Sequence, residues 1–225
     1  MRLDDTVIPP DGDATQAWSV VFPVKVLSAA KTRLATGPAS PGELALAFFR
    51  DALMAALATP RVELVVVATS DELVRATAEA VGALVVDDHG HPGINAAARW
   101  GARHSSVESG IAVIVSDLPC LTPGSLETAL AAAEPYGTSF LADLDGTGTT
   151  MWFATARNLV DPRFGTSSRA AHLEAGDADL VALNPGLLEG LLPARCDVDT
   201  DHALERARAL GVGSATLAAL DVGTA

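Results

Sequence analysis

The chain holds two lysines, and both fall in one stretch, Phe22-Pro23-Val24-Lys25-Val26-Leu27-Ser28-Ala29-Ala30-Lys31-Thr32-Arg33-Leu34. Elsewhere its side-chain cations are arginines. An ammonium is a compact point charge that can follow phosphate oxygens around a site, which a planar guanidinium does less easily. Lys25, Lys31 and Arg33 are therefore candidates to hold a polyphosphate; the competing reading is a solvated basic loop. Further on, Ser116-Asp117-Leu118-Pro119 offers a carboxylate able to hold Mg²⁺ against phosphates or, alternatively, to cap the next helix. Arg195-Cys196-Asp197-Val198-Asp199-Thr200 sends Asp197 and Asp199 to one side if extended, because side chains alternate along a strand. Two acids on one side repel unless a cation or hydrogen bonds compensate. A metal is the economical answer, with capping of a helix at His202 as the alternative for one of them.

Neutral donors come from three further segments. Asp145-Gly146-Thr147-Gly148-Thr149-Thr150 lacks the third glycine and the following helix of a dinucleotide fingerprint, and Lys31-Thr32 lacks the glycines of an ATPase phosphate loop. What survives is a turn whose amides and hydroxyls hold an anion, or a plain hairpin turn. Phe164-Gly165-Thr166-Ser167-Ser168, with His172 beyond, precedes a predicted helix whose first amides would face a phosphate or carboxylate; Ser168 would otherwise be an ordinary cap. Asn95, in Gly93-Ile94-Asn95-Ala96, can read a base or ribose with its amide, or cap a helix.

The elements that must position these groups follow from periodicity. Apolar runs at 18–24, 62–69, 83–86 and 111–115 read as strands, and patterns at 42–58, 71–81 and 95–105 read as the helices between them, with Pro41 in the first turn of one helix and Ser70 capping another. A helix at 123–134 and a strand at 138–142 continue the alternation. A strand at 150–154, a helix around 167–175, a strand at 179–183 and a helix at 202–210 follow. Strands separated by helices need crossover connections, which predicts an α/β fold with a mainly parallel central sheet and helices on both faces. Ligands in such folds bind beyond the carboxyl ends of the strands.

With 225 residues, 49% of them hydrophobic, the chain suits one large domain, expected over 16–225 behind a flexible tail at 1–15. A formal net charge of -13 argues against nucleic acid as a partner and makes a local basic cluster more telling. Two cysteines are too few for a disulfide framework; no secretion signal or membrane-spanning apolar run is visible, and a cytoplasmic location is expected.

Taken in order, Pro23-Val24-Lys25, Ala30-Lys31-Thr32-Arg33-Leu34, Asn95, Asp117-Leu118-Pro119, Gly146-Thr147-Gly148-Thr149, Arg163-Phe164-Gly165 with Ser168 and His172, and Cys196-Asp197-Val198-Asp199-Thr200 resemble the CofC/FbiD family of guanylyltransferases. That family makes the activated three-carbon precursor of the deazaflavin coenzyme F-420. The resemblance implies a nucleotidyltransferase fold shared with molybdopterin guanylyltransferases. It also implies that GTP and a phosphorylated C3 acid react with release of pyrophosphate, and that a downstream transferase consumes the product. It places Thr149, Gly165 and Ser168 on phosphoenolpyruvate and Mg²⁺ on Asp117 and Asp197, with Asp199 a third ligand or an outer partner. Asn95 and Gly148 join the expected substrate-binding residues, and Lys25, Lys31, Arg33 and Asp117 the catalytic ones. The sequence departs from the family at Ser116, where glycine is usual, and at Asp201, where proline is common.

Other readings stay open at this stage. Asp197-Val198-Asp199-Thr200 has the look of a haloacid dehalogenase nucleophile motif, although that motif ends the first strand of its fold and only about 25 residues follow here. Molybdopterin and sugar-phosphate nucleotidyltransferases usually carry a glycine-rich loop after the first strand, and Phe22-Pro23-Val24-Lys25 has none. A non-catalytic nucleotide-binding module would hold GTP without producing pyrophosphate. Among acceptors, phosphoenolpyruvate, 2-phospho-L-lactate and 3-phospho-D-glycerate differ by a few atoms, which pocket shape must discriminate.

Overall fold

The computed structural model describes residues 16–27, 39–89 and 92–221. The order is β1 (Trp18–Pro23), α1 (Pro41–Leu57), β2 (Val62–Ala68), α2 (Glu72–Glu79), β3 (Leu84–Val86), α3 (Ile94–Ala102), β4 (Gly110–Ile114), α4 (Pro123–Ala133), β5 (Thr138–Ala142) and β6 (Thr149–Ala154). Then come α5 (Ser168–Ala175), β7 (Ala178–Asp179), α6 (Leu180–Leu183), α7 (Leu188–Arg195), α8 (Asp201–Leu210) and α9 (Ser214–Asp221). The strands form one sheet in the order β3-β2-β1-β4-β6-β5-β7.

Pairing is parallel between β1 and both β2 and β4, between β2 and β3, and between β5 and β7. The exception is β6, which lies between β4 and β5 and runs antiparallel to both. Its reversal follows from the short connection after β5, since only a hairpin closes so few residues. Because β6 begins where β5 ends, its first residue, Thr149, opens onto the same rim as the carboxyl ends of the parallel strands.

Alternation along β1 builds both layers of core. Val20 and Phe22 pack with Phe49 and Leu53 of α1, Val74 of α2, and Leu126 and Leu130 of α4, while Val21 faces Ala97 and Ala98 of α3. Small alanines let the helices lie close to the sheet. A satellite core joins Leu44 and Phe48 of α1 to Cys196, Val198 and Leu204, which docks α8.

Helix α1 starts at a capping box in which Ser40 and Glu43 satisfy each other's backbone amides. Asp71, rather than Ser70, caps α2; it accepts from Leu73 and Val74 and also from the amide of Leu27 beyond β1, at 2.9 Å. The strand expected at 179–183 is a two-residue pairing followed by α6, because Asp179 caps that helix with bonds to the Val181 and Ala182 amides.

Candidate active site

The rim of the sheet opens onto a cleft of about 660 Å³. One wall is acidic. Asp117 follows β4 and lines the cleft, and α4 is capped by Thr122, so the helix-capping alternative for Asp117 falls away. The amide of Val198 donates to the Asp117 carbonyl at 3.0 Å, which lays the segment after α7 alongside the one after β4. Val198 is fully buried, and its neighbours Asp197 and Asp199 both line the cleft, as alternation expects. Thr200 caps α8, which leaves neither acid in that role. The segment joins two helices and ends no strand, contrary to the phosphatase reading.

Burial, and then the negative charges of Asp117, Asp143 and Asp199, push the Asp197 carboxyl up to about 8. Asp143 is a fourth carboxylate on the cleft that the motif reading missed. Its position immediately after a predicted strand was the available signal. It is also the anion that the glycine-rich turn holds: the amides of Thr147 and Gly148 donate to its two carboxylate oxygens at 2.9 and 2.8 Å. The segment is thus a hairpin turn around its own carboxylate, with the Gly148 amide bonded to Asp143. Arg195, buried beneath, donates to the carbonyls of Ala142 and Asp143 at 2.9 and 2.8 Å and fixes the end of β5. Burial lowers the Arg195 pKa, against the raising influence of Asp143 and Asp179.

A Cβ at position 148 would collide with the Asp143 carboxylate. Gly148→Ala is accordingly expected to cost about 1–3 kcal/mol in a urea melt as the turn gives way. Thr149, next in the chain, carries a hydroxyl that is buried without a hydrogen-bond partner among the described residues, on a residue that lines the cleft.

Gly165 and Ser168 line the same cleft. Gly165 has φ +137°, a conformation that L side chains rarely adopt. The helix-terminal amides expected to meet an anion are partly engaged: Ser168 donates to the Gly165 carbonyl at 3.2 Å and Arg169 to that of Thr147 at 3.3 Å. Ser168 is not the cap; Ser167 precedes it in a left-handed conformation, and Ser168 opens α5. Asn95 is not the cap of α3, which Gly93 precedes. Its amide nitrogen donates to the Phe164 carbonyl at 2.9 Å and its oxygen accepts from the Phe164 amide at 2.8 Å, so it anchors the loop before Gly165. Lys25 is exposed and lines the cleft, whereas Lys31 and Arg33 lie outside the described residues.

Among the described residues, no three His, Cys, Asp or Glu side chains gather closely enough to hold a metal by themselves. The donor set still fits Mg²⁺, which takes hard oxygen ligands and is usually held by one or two carboxylates plus substrate phosphates. Burial raises Asp197 most and repulsion from the neighbouring carboxylates adds to it; a cation would relieve that repulsion.

The family model for CofC-like guanylyl transferases matches residues 18–205. The chain belongs to that family. Phosphoenolpyruvate guanylyltransferase of Thermomonospora curvata is 42% identical over 211 residues, covering 92% of this chain and 90% of that protein. The same-named protein of Salinispora arenicola is 43% identical over 215 residues, covering 94% and 96%. Among solved structures, CMP:2-keto-3-deoxy-manno-octonic acid synthetase complexed with CTP aligns with a TM-score of 0.51 at 15% identity, covering 87% of this chain and 98% of that one. Rv0371c of Mycobacterium tuberculosis, in complex with manganese, aligns at 0.52 and 18% identity, covering 86% and 98%. The CofC-like chain thus has a nucleotidyltransferase fold, and among its described residues no helix is long and apolar enough to cross a membrane.

Proposed function

We propose that this chain transfers GMP from GTP to phosphoenolpyruvate with release of pyrophosphate, giving the activated C3 precursor of coenzyme F-420. The observation that carries this reading is the 42% identity, over 92% of the chain, to a phosphoenolpyruvate guanylyltransferase. The cleft supports it by bringing carboxylates and neutral donors into one cavity, as a two-phosphate reaction needs. Lys25, Lys31 and Arg33 hold the triphosphate. A phosphate oxygen of the acceptor attacks the α-phosphorus; that bond forms as the bond to the β-phosphate bridging oxygen breaks, and pyrophosphate leaves. The acceptor phosphate is already an anion at neutral pH, so the attack needs no general base. The protein's task is in-line positioning and neutralisation of charge. Mg²⁺ held by Asp117 and Asp197, with Asp199 and Asp143 around them, would supply that neutralisation. Thr149, Gly165 and Ser168 grip the acceptor with neutral donors, which leaves its attacking oxygen free to align.

Ser168→Ala is expected to raise the phosphoenolpyruvate KM about tenfold while the GTP KM stays within twofold, as loss of a hydrogen bond used in acceptor binding requires. The deciding assay is pyrophosphate release from GTP with phosphoenolpyruvate, 2-phospho-L-lactate and 3-phospho-D-glycerate in turn. A downstream transferase is added to draw off the product. Turnover with phosphoenolpyruvate is expected; preference for another acid would move the acceptor assignment, and phosphate release from a phosphomonoester without nucleotide would overturn the transferase reading.

A further inference from the structure

His172 is fully buried on α5 and takes no part in the chemistry described above. Its ring lies stacked on Phe140 of β5, with centroids 5.2 Å apart and planes 20° apart, and the edge of Phe164 meets it at 6.0 Å. Nδ1 is 2.7 Å from Oδ2 of Asp177, and the Asp177 amide donates back to the His172 carbonyl at 3.0 Å, closing a ring of two bonds. The same carboxylate oxygen accepts from Trp152 Nε1 at 2.9 Å, and Trp152 is the cross-strand neighbour of Phe140. Burial raises the Asp177 pKa, but hydrogen bonds from His172, Thr138 and Trp152 prevail and hold it below the usual carboxylate value. Asp177 is therefore the anion and Nδ1–H the donor.

This assembly touches the acceptor side at two places. Phe164 is held between Asn95 and the His172 ring, and it directly precedes Gly165. Ser168 lies one turn before His172 on the same face of α5. A ring that only filled space between two aromatics needs no directional bond; this one has its rotation fixed by Asp177.

We infer that His172 is a positioning residue for the acceptor: locked by Asp177, it fixes Phe164 and the first turn of α5, and so the placing of Gly165 and Ser168. The inference rests on the reading of those two residues as acceptor-binding. It deepens that reading by naming what orients them.

The test is steady-state pyrophosphate release with GTP and phosphoenolpyruvate, beside thermal melts, for His172→Phe, His172→Asn and Asp177→Ala. Phenylalanine keeps the ring and its stacking but loses the bond to Asp177; asparagine keeps a donor near the Nδ1 position and loses volume. His172→Phe and Asp177→Ala are expected to raise the phosphoenolpyruvate KM about tenfold with the GTP KM within twofold, and His172→Asn to restore most of that KM despite a lower Tm. A phosphoenolpyruvate KM unchanged in His172→Phe, both KM values rising together, or an asparagine variant no better than phenylalanine would overturn the inference. Should His172→Phe not fold, Trp152→Phe decides: it removes one of the bonds to Asp177, and a rise in the phosphoenolpyruvate KM alone supports the role while no change overturns it. A wild-type enzyme that ignores phosphoenolpyruvate would overturn the substrate reading instead.

Discussion

Asp117→Asn is expected to lower kcat for pyrophosphate release by about 10²- to 10³-fold at saturating Mg²⁺, the scale seen when one group that stabilises transition-state charge is removed. The fold should survive. Asparagine has nearly the shape of aspartate, and the backbone carbonyl of residue 117, which accepts from Val198, is kept by the substitution. The substitution also removes one of the charges that raise Asp197. Melting in EDTA should therefore be unchanged or slightly improved while activity collapses, a combination that separates a lost charge from a lost fold. Near-normal turnover by the variant would sink the assignment of Asp117 to the metal.

Why the acidic wall was legible in the sequence while parts of its surroundings were not comes down to range. Asp117 ends a strand and Asp197 and Asp199 alternate, both of which are local signals. Asp143 has a local signal too, but the adjacent glycine-rich turn reads as an anion site in its own right. The turn does hold an anion, and that anion is Asp143 itself. The bond from Asn95 to the Phe164 loop has no local signature, because its partner lies 69 residues away in the chain.

The same logic explains the missed helices. Pro193 inside α7 removes a backbone donor and speaks against a helix locally, yet Leu191 and Ala194 bury against the main core and hold it. At the start of α9, the amides of Ala215 and Thr216 are satisfied by Asp51 on α1, 164 and 165 residues earlier in the chain. A cap supplied from that distance leaves no sequence signature. The alternation of strands and helices that places the rim was readable from periodicity, whereas the antiparallel insertion of β6 followed from a turn that had two readings.

The largest expected effect on stability is at Asp197, and its sign is opposite to that on activity. An unfolded aspartate titrates near 3.9; in the fold this one is pushed up to about 8. The folded state therefore retains a proton that the unfolded chain gives up. Without metal, stability falls as pH rises from about 4 and reaches its floor above about 8. Each pKa unit is about 1.4 kcal/mol, so the cost at pH 8.5 is on the order of a few kcal/mol once the sharing of charge among Asp117, Asp143, Asp197 and Asp199 is allowed for. Asp197→Asn removes the charge and should raise Tm in EDTA at pH 8.5 by about 5 °C or more, with a smaller gain at pH 5. Mg²⁺ should stabilise the wild type most at the higher pH and the asparagine variant hardly at all, while the variant loses turnover. A variant that melts lower than wild type in EDTA at pH 8.5 would mean that hydrogen bonds within the fold already satisfy the Asp197 carboxylate. The acidic wall would then be a structural feature, and the metal would have to be sought elsewhere on the rim.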